Sequence, residues 1–219
     1  MKIFSGYLAG AFALAVAGMI GPLASVSFAE ETPDPHAHHR MTPETTRRIA
    51  EYAVPQVSLV RDDDKTVSLP EELNDGRPVV LSFIYTTCTA ICPVISQTLA
   101  QLQRNLGSDR DRVHLVSISI DPEQDTPARL AAYAKKYGAG PEWRHYTGTL
   151  SASVATQRAF DVYRGDKMSH MPVTLLRAAP DKPWVRIEGF ATANDLLAEV
   201  RNMLSASESP RANISQAIP

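Results

Sequence analysis

Hydrophobic and polar positions divide the chain into segments with different periods. Residues 78–85, Pro78-Val79-Val80-Leu81-Ser82-Phe83-Ile84-Tyr85, form a continuous apolar run rich in β-branched and aromatic side chains. Such a run predicts a strand covered on both faces. Before it, Val57, Leu59, Val67 and Leu69 flank the polar stretch 61–65, which predicts a β-hairpin. Residues 70–76 read as a polar turn. After the run, Ile95, Leu99, Leu102 and Leu106 recur at helical spacing within residues 93–106, and Gly107 stands where a C-terminal cap belongs.

Residues 113–120 repeat the apolar strand pattern. Thr126 and Pro127 then open a helix that Gly138 closes, since proline suits the first helical position. Residues 151–163 predict another helix. Residues 173–176 and 184–187 predict two short strands across a Pro-containing turn. Residues 192–204 predict a final amphipathic helix, with Asp195 three residues after Thr192 in the manner of a capping box. The predicted order is hairpin, β, α, β, α, α, β, β, α. It implies an α/β class with a mixed sheet flanked by helices.

The ends read differently. Lys2 precedes an uncharged stretch over residues 3–24, and Ser27-Phe28-Ala29 suits signal peptidase. Residues 1–29 are therefore expected to be an export signal cleaved after Ala29, or an uncleaved membrane anchor. Residues 30–53 read as a flexible lead-in, with a short helix or loose chain over 42–53. The globular domain is expected over 54–204. Residues 205–219 are polar and aperiodic and read as a disordered tail. The formal net charge of −2 gives no basic patch for nucleic acid.

The chain has two cysteines, Cys88 and Cys92, directly after the first buried strand. Open α/β sheets place their sites at that end of a strand. A disulfide across so short a loop would stabilise little through chain entropy, so the spacing points to chemistry more than to stapling. If Cys88 precedes the helix and Cys92 lies in its first turn, both sulfurs converge at a helix N-terminus that favours a thiolate. A thiolate pair serves either disulfide exchange or copper(I) binding. Zinc is disfavoured, because no second Cys or His pair stands at finger spacing.

The segment Tyr85-Thr86-Thr87-Cys88-Thr89-Ala90-Ile91-Cys92-Pro93 resembles the C-x3-C-P motif of the Sco/SenC family. The stretch from Ser117 through Asp121-Pro122 to Asp125-Thr126-Pro127 is similar to that family's Asp-Pro-x-x-Asp-Thr-Pro turn. His145 to Thr149, residues 159–163 and His170 continue the motif order, so the resemblance spans residues 54–204. It implies a thioredoxin-like fold with an N-terminal β-hairpin extension. It also implies copper held by Cys88, Cys92 and His170, and a role as a copper metallochaperone assembling the CuA centre of cytochrome c oxidase. The implied partner is the oxidase copper subunit, on the periplasmic face of the inner membrane or in the periplasm. The alternative is an exported thiol–disulfide oxidoreductase, with Cys88 attacking and Cys92 resolving.

Three positions depart from the family pattern. Thr89-Ala90 replaces Pro-Asp between the cysteines, Ser169 replaces an Asp before the late histidine, and Pro172 stands where thioredoxins carry a cis-proline. Met168 and Met171 place thioethers beside His170, where they are packing residues, exposed residues or aids to copper(I). Asp125 reads as a turn and capping residue. Asp121 is open as a second contact layer or a partner contact. His36, His38 and His39 form either an accessory metal-capture cluster or a polar tether.

Overall fold

The computed structural model describes residues 45–208. The leader, the histidine cluster at 36–39 and the tail beyond 208 lie outside the described residues. The fold is built on β4, Val79–Ile84, whose six residues are all buried. Its side chains alternate between faces, as strand geometry requires. Val79, Leu81 and Phe83 enter one apolar cluster, and Val80 enters the cluster on the opposite face.

Parallel neighbours follow on one side: β5, His114–Ser119, pairs with β4, and β6, Trp143–Thr147, pairs with β5. Parallel pairing demands a long crossover. Helix α2, Ile91–Leu106, and helix α3, Pro127–Tyr137, supply the two crossovers. On the other side β7, Val173–Arg177, runs antiparallel to β4, and β8, Trp184–Glu188, runs antiparallel to β7. The hairpin of β2, Ser58–Arg61, and β3, Thr66–Ser68, adds to the outer edge of β6. Strand β1, Thr46–Ala50, completes an eight-stranded mixed sheet in the order β1-β8-β7-β4-β5-β6-β2-β3.

Helix α2 and helix α5, Ala193–Glu208, pack against each other on one face. Ile95, Leu99, Leu102 and Leu106 of α2 meet Leu196, Val200, Met203 and Leu204 of α5 over Val80, Leu115 and Leu176. Leu99 has no exposed surface, so its truncation to alanine costs about 2–5 kcal/mol. The opposite face is covered by the short α1, Leu69–Leu73, and by α4, Leu150–Ala159, with Phe160 at its end. The caps follow their residue types. Thr126 and Thr149 accept from the amides three residues on, and Thr192 and Asp195 exchange bonds in a reciprocal box. Gly107 and Gly138 end α2 and α3 at positive φ, +56° and +67°.

Four expectations need correction. The segment read as flexible lead-in contains β1, which pairs with β8 from Thr46 to Ala50. Its side chains are largely exposed, Ile49 at 56%, so no apolar period marks it; the open edge of β8 recruits its backbone. The 70–76 turn begins with helix α1, because Leu69 and Leu73 are both buried four residues apart. Strand β6 was absent from the predicted order, because its sequence, WRHYT, carries polar residues that only the tertiary fold buries. Helix α5 runs to Glu208, past the expected end at 204. The expected hairpin, the buried strand and α2 stand where the pattern put them. Among the described residues no peptide bond is cis, so the bond before Pro172 is trans.

Candidate functional site

Strand β4 ends at Ile84, and the chain turns at once: the amide of Cys88 donates to the carbonyl of Tyr85 at 3.1 Å. The turn is clamped from β5 and the loop that follows it. Asp125, fully buried, accepts from the Thr86 amide, the Thr86 hydroxyl and the Ser119 hydroxyl. The sequence predicts a turn and capping role for Asp125. Its position shows that it fixes the start of the cysteine loop to the neighbouring strand.

Helix α2 then starts without a side-chain cap, since its N-cap is Ala90. The Cys88 sulfur fills that role. The amide of Cys92 donates to Cys88 Sγ at 3.4 Å, and the amide of Tyr85 donates to Cys92 Sγ at 3.4 Å. Both cysteines are free thiols packed among Ile84, Tyr85, Leu130 and Tyr133. Burial alone would raise the Cys88 thiol, but the amides of Cys92 and Ala90, then the Cys92 thiol and the Tyr85 hydroxyl, hold it below its ordinary value. Cys92 has no exposed surface, and burial drives its thiol well above the ordinary range. Burial and the adjacent Cys88 sulfur push the Tyr85 hydroxyl up to about 12, so it remains a donor.

His170 follows a single 3-10 turn, Lys167–Ser169. Its ring is buried, with Nε2 3.1 Å from the carbonyl oxygen of Phe83, the β4 residue five before Cys88. A carbonyl only accepts, so Nε2 carries the proton and Nδ1 keeps its lone pair. Burial holds the ring's pKa below the usual histidine value, which keeps the imidazole neutral, the form that binds metal. Among the described residues, no group of three His, Cys, Asp or Glu side chains is assembled as a metal cage. The two sulfurs are brought together, and His170 is anchored on the adjoining strand without joining them in a closed set.

The His170 loop is tied to the cysteine region by Lys167 and Tyr85, which carry no such signal in the sequence, and by Asp121 and Met168, whose roles the sequence leaves open. Lys167 Nζ pairs with Asp121 Oδ2 at 2.6 Å and stands 5.7 Å from the centre of the Tyr85 ring. The Tyr85 hydroxyl donates to Met168 Sδ at 3.6 Å. Asp121, left open on sequence, thus contacts the loop that carries His170. Tyr85 was legible only as the end of an apolar run, and Lys167 carried no signal beyond its charge. Met168 and Met171 are 74% and 58% exposed. No helix among the described residues is long and apolar enough to cross a membrane.

Comparison with known proteins gives a consistent picture. A family model described as SCO1/SenC matches residues 46–205. The SCO1 protein homolog of Bacillus subtilis (strain 168) is 34% identical over 104 residues, covering 47% of this chain and 53% of the relative. The chain therefore spans about half the length of that curated relative. The crystal structure of Arabidopsis thaliana ScoI with copper bound aligns at TM-score 0.59 and 27% identity, covering 70% of this chain and 98% of that one. BsSco, described as having a disulfide switch and as a member of the Sco family of cytochrome c oxidase assembly proteins, aligns at TM-score 0.60 and 25% identity, covering 73% and 98%.

Proposed function

Because this chain belongs to the SCO1/SenC family, we propose that it carries copper on Cys88, Cys92 and His170 and delivers it to the CuA site of a cytochrome c oxidase subunit. The observation that carries this reading is the Cys88 sulfur at the N-terminus of α2, held as the more acidic thiol beside Cys92. Two thiolates are a soft pair that selects copper(I). A neutral imidazole with a free Nδ1 is a suitable third donor, and its carrier loop lies against Tyr85 and Asp121. The copper-bound ScoI of Arabidopsis supports copper as cargo, and BsSco supports the assembly role. The uncharged stretch at residues 3–24 supports work on the exported side of the membrane, in the periplasm, with or without a tether.

Ligation couples to the protonation of the pair. Cys92 is protonated near neutral pH, so taking copper between both sulfurs releases its proton. Oxidation of the pair to a disulfide removes both thiolates and abolishes the site.

The unequal ionisation of the two thiols favours a second reading, thiol–disulfide exchange. Cys88 thiolate would attack a substrate disulfide and expel one thiolate. Cys92, after losing its proton, would attack the mixed disulfide and expel the second, leaving Cys88–Cys92 oxidised by two electrons. An external dithiol would restore it.

Copper(I) titration of the reduced chain against a strong chelator separates the two. Carriage requires stoichiometric, tight binding that falls at least tenfold in His170→Ala, about 1.4 kcal/mol. Weak binding indifferent to His170, with turnover of a protein mixed disulfide, would assign the chain to exchange instead.

A further inference from the structure

A third sulfur lies on the loop that packs against the cysteine region. Met168 sits in the 3-10 turn, and its thioether meets the Tyr85 hydroxyl at 3.6 Å. The Tyr85 side chain packs in one buried cluster with Cys88 and Cys92. One tyrosine thus touches both the cysteine cluster and a methionine sulfur that stands 80 positions beyond Cys88 in the chain. The position is built. Asp166 accepts from the Met168 amide at 2.9 Å, Lys167 on the same turn pairs with Asp121 at 2.6 Å, and the His170 amide closes the turn on the Lys167 carbonyl at 3.1 Å. Met168 is nonetheless 74% exposed. A large apolar side chain left in solvent, with its sulfur against the Tyr85 hydroxyl, has no packing role to account for it.

His170 contrasts with it. Its Nε2 is committed to the Phe83 carbonyl, and its side chain is buried. The thioether therefore lies on the solvent side of Tyr85, and the imidazole on the side of the sheet. Thioether sulfur is a neutral, soft donor that binds copper(I) well, whereas copper(II) prefers imidazole and oxygen donors.

We propose that Met168 supplies a third sulfur for copper(I), forming with Cys88 and Cys92 the solvent-facing intake side of the copper site that His170 completes. The proposal rests on the copper-carrying reading and refines it. Copper(I) enters from solvent onto three sulfurs. The donor it releases is replaced in turn by Met168, Cys88 and Cys92, with the Cys92 proton passing to solvent and no change in copper oxidation state.

The test uses the full reduced chain labelled with selenomethionine and loaded with one copper(I). X-ray absorption at the copper edge is expected to show a copper–selenium neighbour. That neighbour is retained in Met171→Leu and absent in Met168→Leu, a substitution of similar volume on an exposed turn. Chelator competition is expected to show about tenfold weaker copper(I) binding in Met168→Leu, and copper(II) binding unchanged. A wild-type spectrum without selenium, together with unaltered copper(I) affinity in Met168→Leu, overturns the proposal and leaves carriage by Cys88, Cys92 and His170 standing. Failure of the wild type to bind copper(I) tightly overturns both.

Discussion

The backbone amide of Cys92 donates to the sulfur of Cys88 at 3.4 Å, so the first cysteine caps the helix that carries the second. A helix lacking a side-chain cap has orphan amides at its start, and they stabilise a negative charge placed there. The same sequence interval that brings the sulfurs together therefore makes them unequal: both lie in the apolar cluster, but Cys88 is set against the first amides of α2 and Cys92 is the more deeply buried.

This inequality is measurable as thiolate absorbance against pH in the single variants Cys92→Ser and Cys88→Ser. The remaining Cys88 is expected to ionise below about 8.5, the ordinary thiol value, and the remaining Cys92 well above it. Coincident midpoints would refute the capping account.

Asp125 accepts three hydrogen bonds without any exposed surface. Asp125→Ala leaves a buried donor on Ser119 and half-buried donors on Thr86 unpaired, which costs about 1–3 kcal/mol for such groups. Urea denaturation is expected to show that loss. Alkylation of Cys88 is expected to speed up in the same variant as the turn loosens. Unchanged alkylation would mean that Asp125 supports the fold without holding the cysteine loop.

The Lys167–Asp121 pair ties the His170 loop to the segment after β5. Lys167→Ala is expected to speed amide hydrogen exchange across residues 164–171 while leaving the midpoint of global unfolding unchanged. The reason is that the lysine contributes to the placement of one loop and not to the core. Unaltered exchange in that window would remove the tie from the account of how the loop is held.

His114, His145 and His170 are all buried, and burial lowers the pKa of each. The unfolded chain, with histidines near about 6.5, then binds more protons than the folded chain at mildly acid pH. Stability consequently rises with pH through this region. The histidine contribution is complete above about 6.5 and is lost as pH falls below it toward the depressed folded values. Urea midpoints taken at neutral and at mildly acid pH are expected to fall on acidification, and His145→Phe is expected to flatten the slope. A midpoint that rises on acidification would contradict the assignment of neutral buried rings.

Some of this was readable from residues alone. The run ending at Ile84, the helical recurrence from Ile95 to Leu106, the Thr126-Pro127 start and the closing capping box are local signals, because each depends on neighbours within one or two turns. The cysteine spacing belongs with them: four residues across a helix start bring two sulfurs together whatever the rest of the chain does. The mixed α/β class followed from the order of those segments.

Tertiary structure decided the rest. Strand β1 exists because β8 has a free edge, and Thr46 pairs with Glu188, far away in sequence. Strand β6 is buried although its sequence alternates poorly, because β5 and the hairpin sandwich it. The roles of Asp125, Tyr85, Lys167 and Met168 arise where separate loops meet at the carboxyl end of β4. Local pattern carries no record of such meetings, since hydrogen bonds between distant loops leave no periodicity in the chain that makes them. Residue chemistry and spacing therefore determined which sulfurs pair, and only the folded sheet decided what surrounds them.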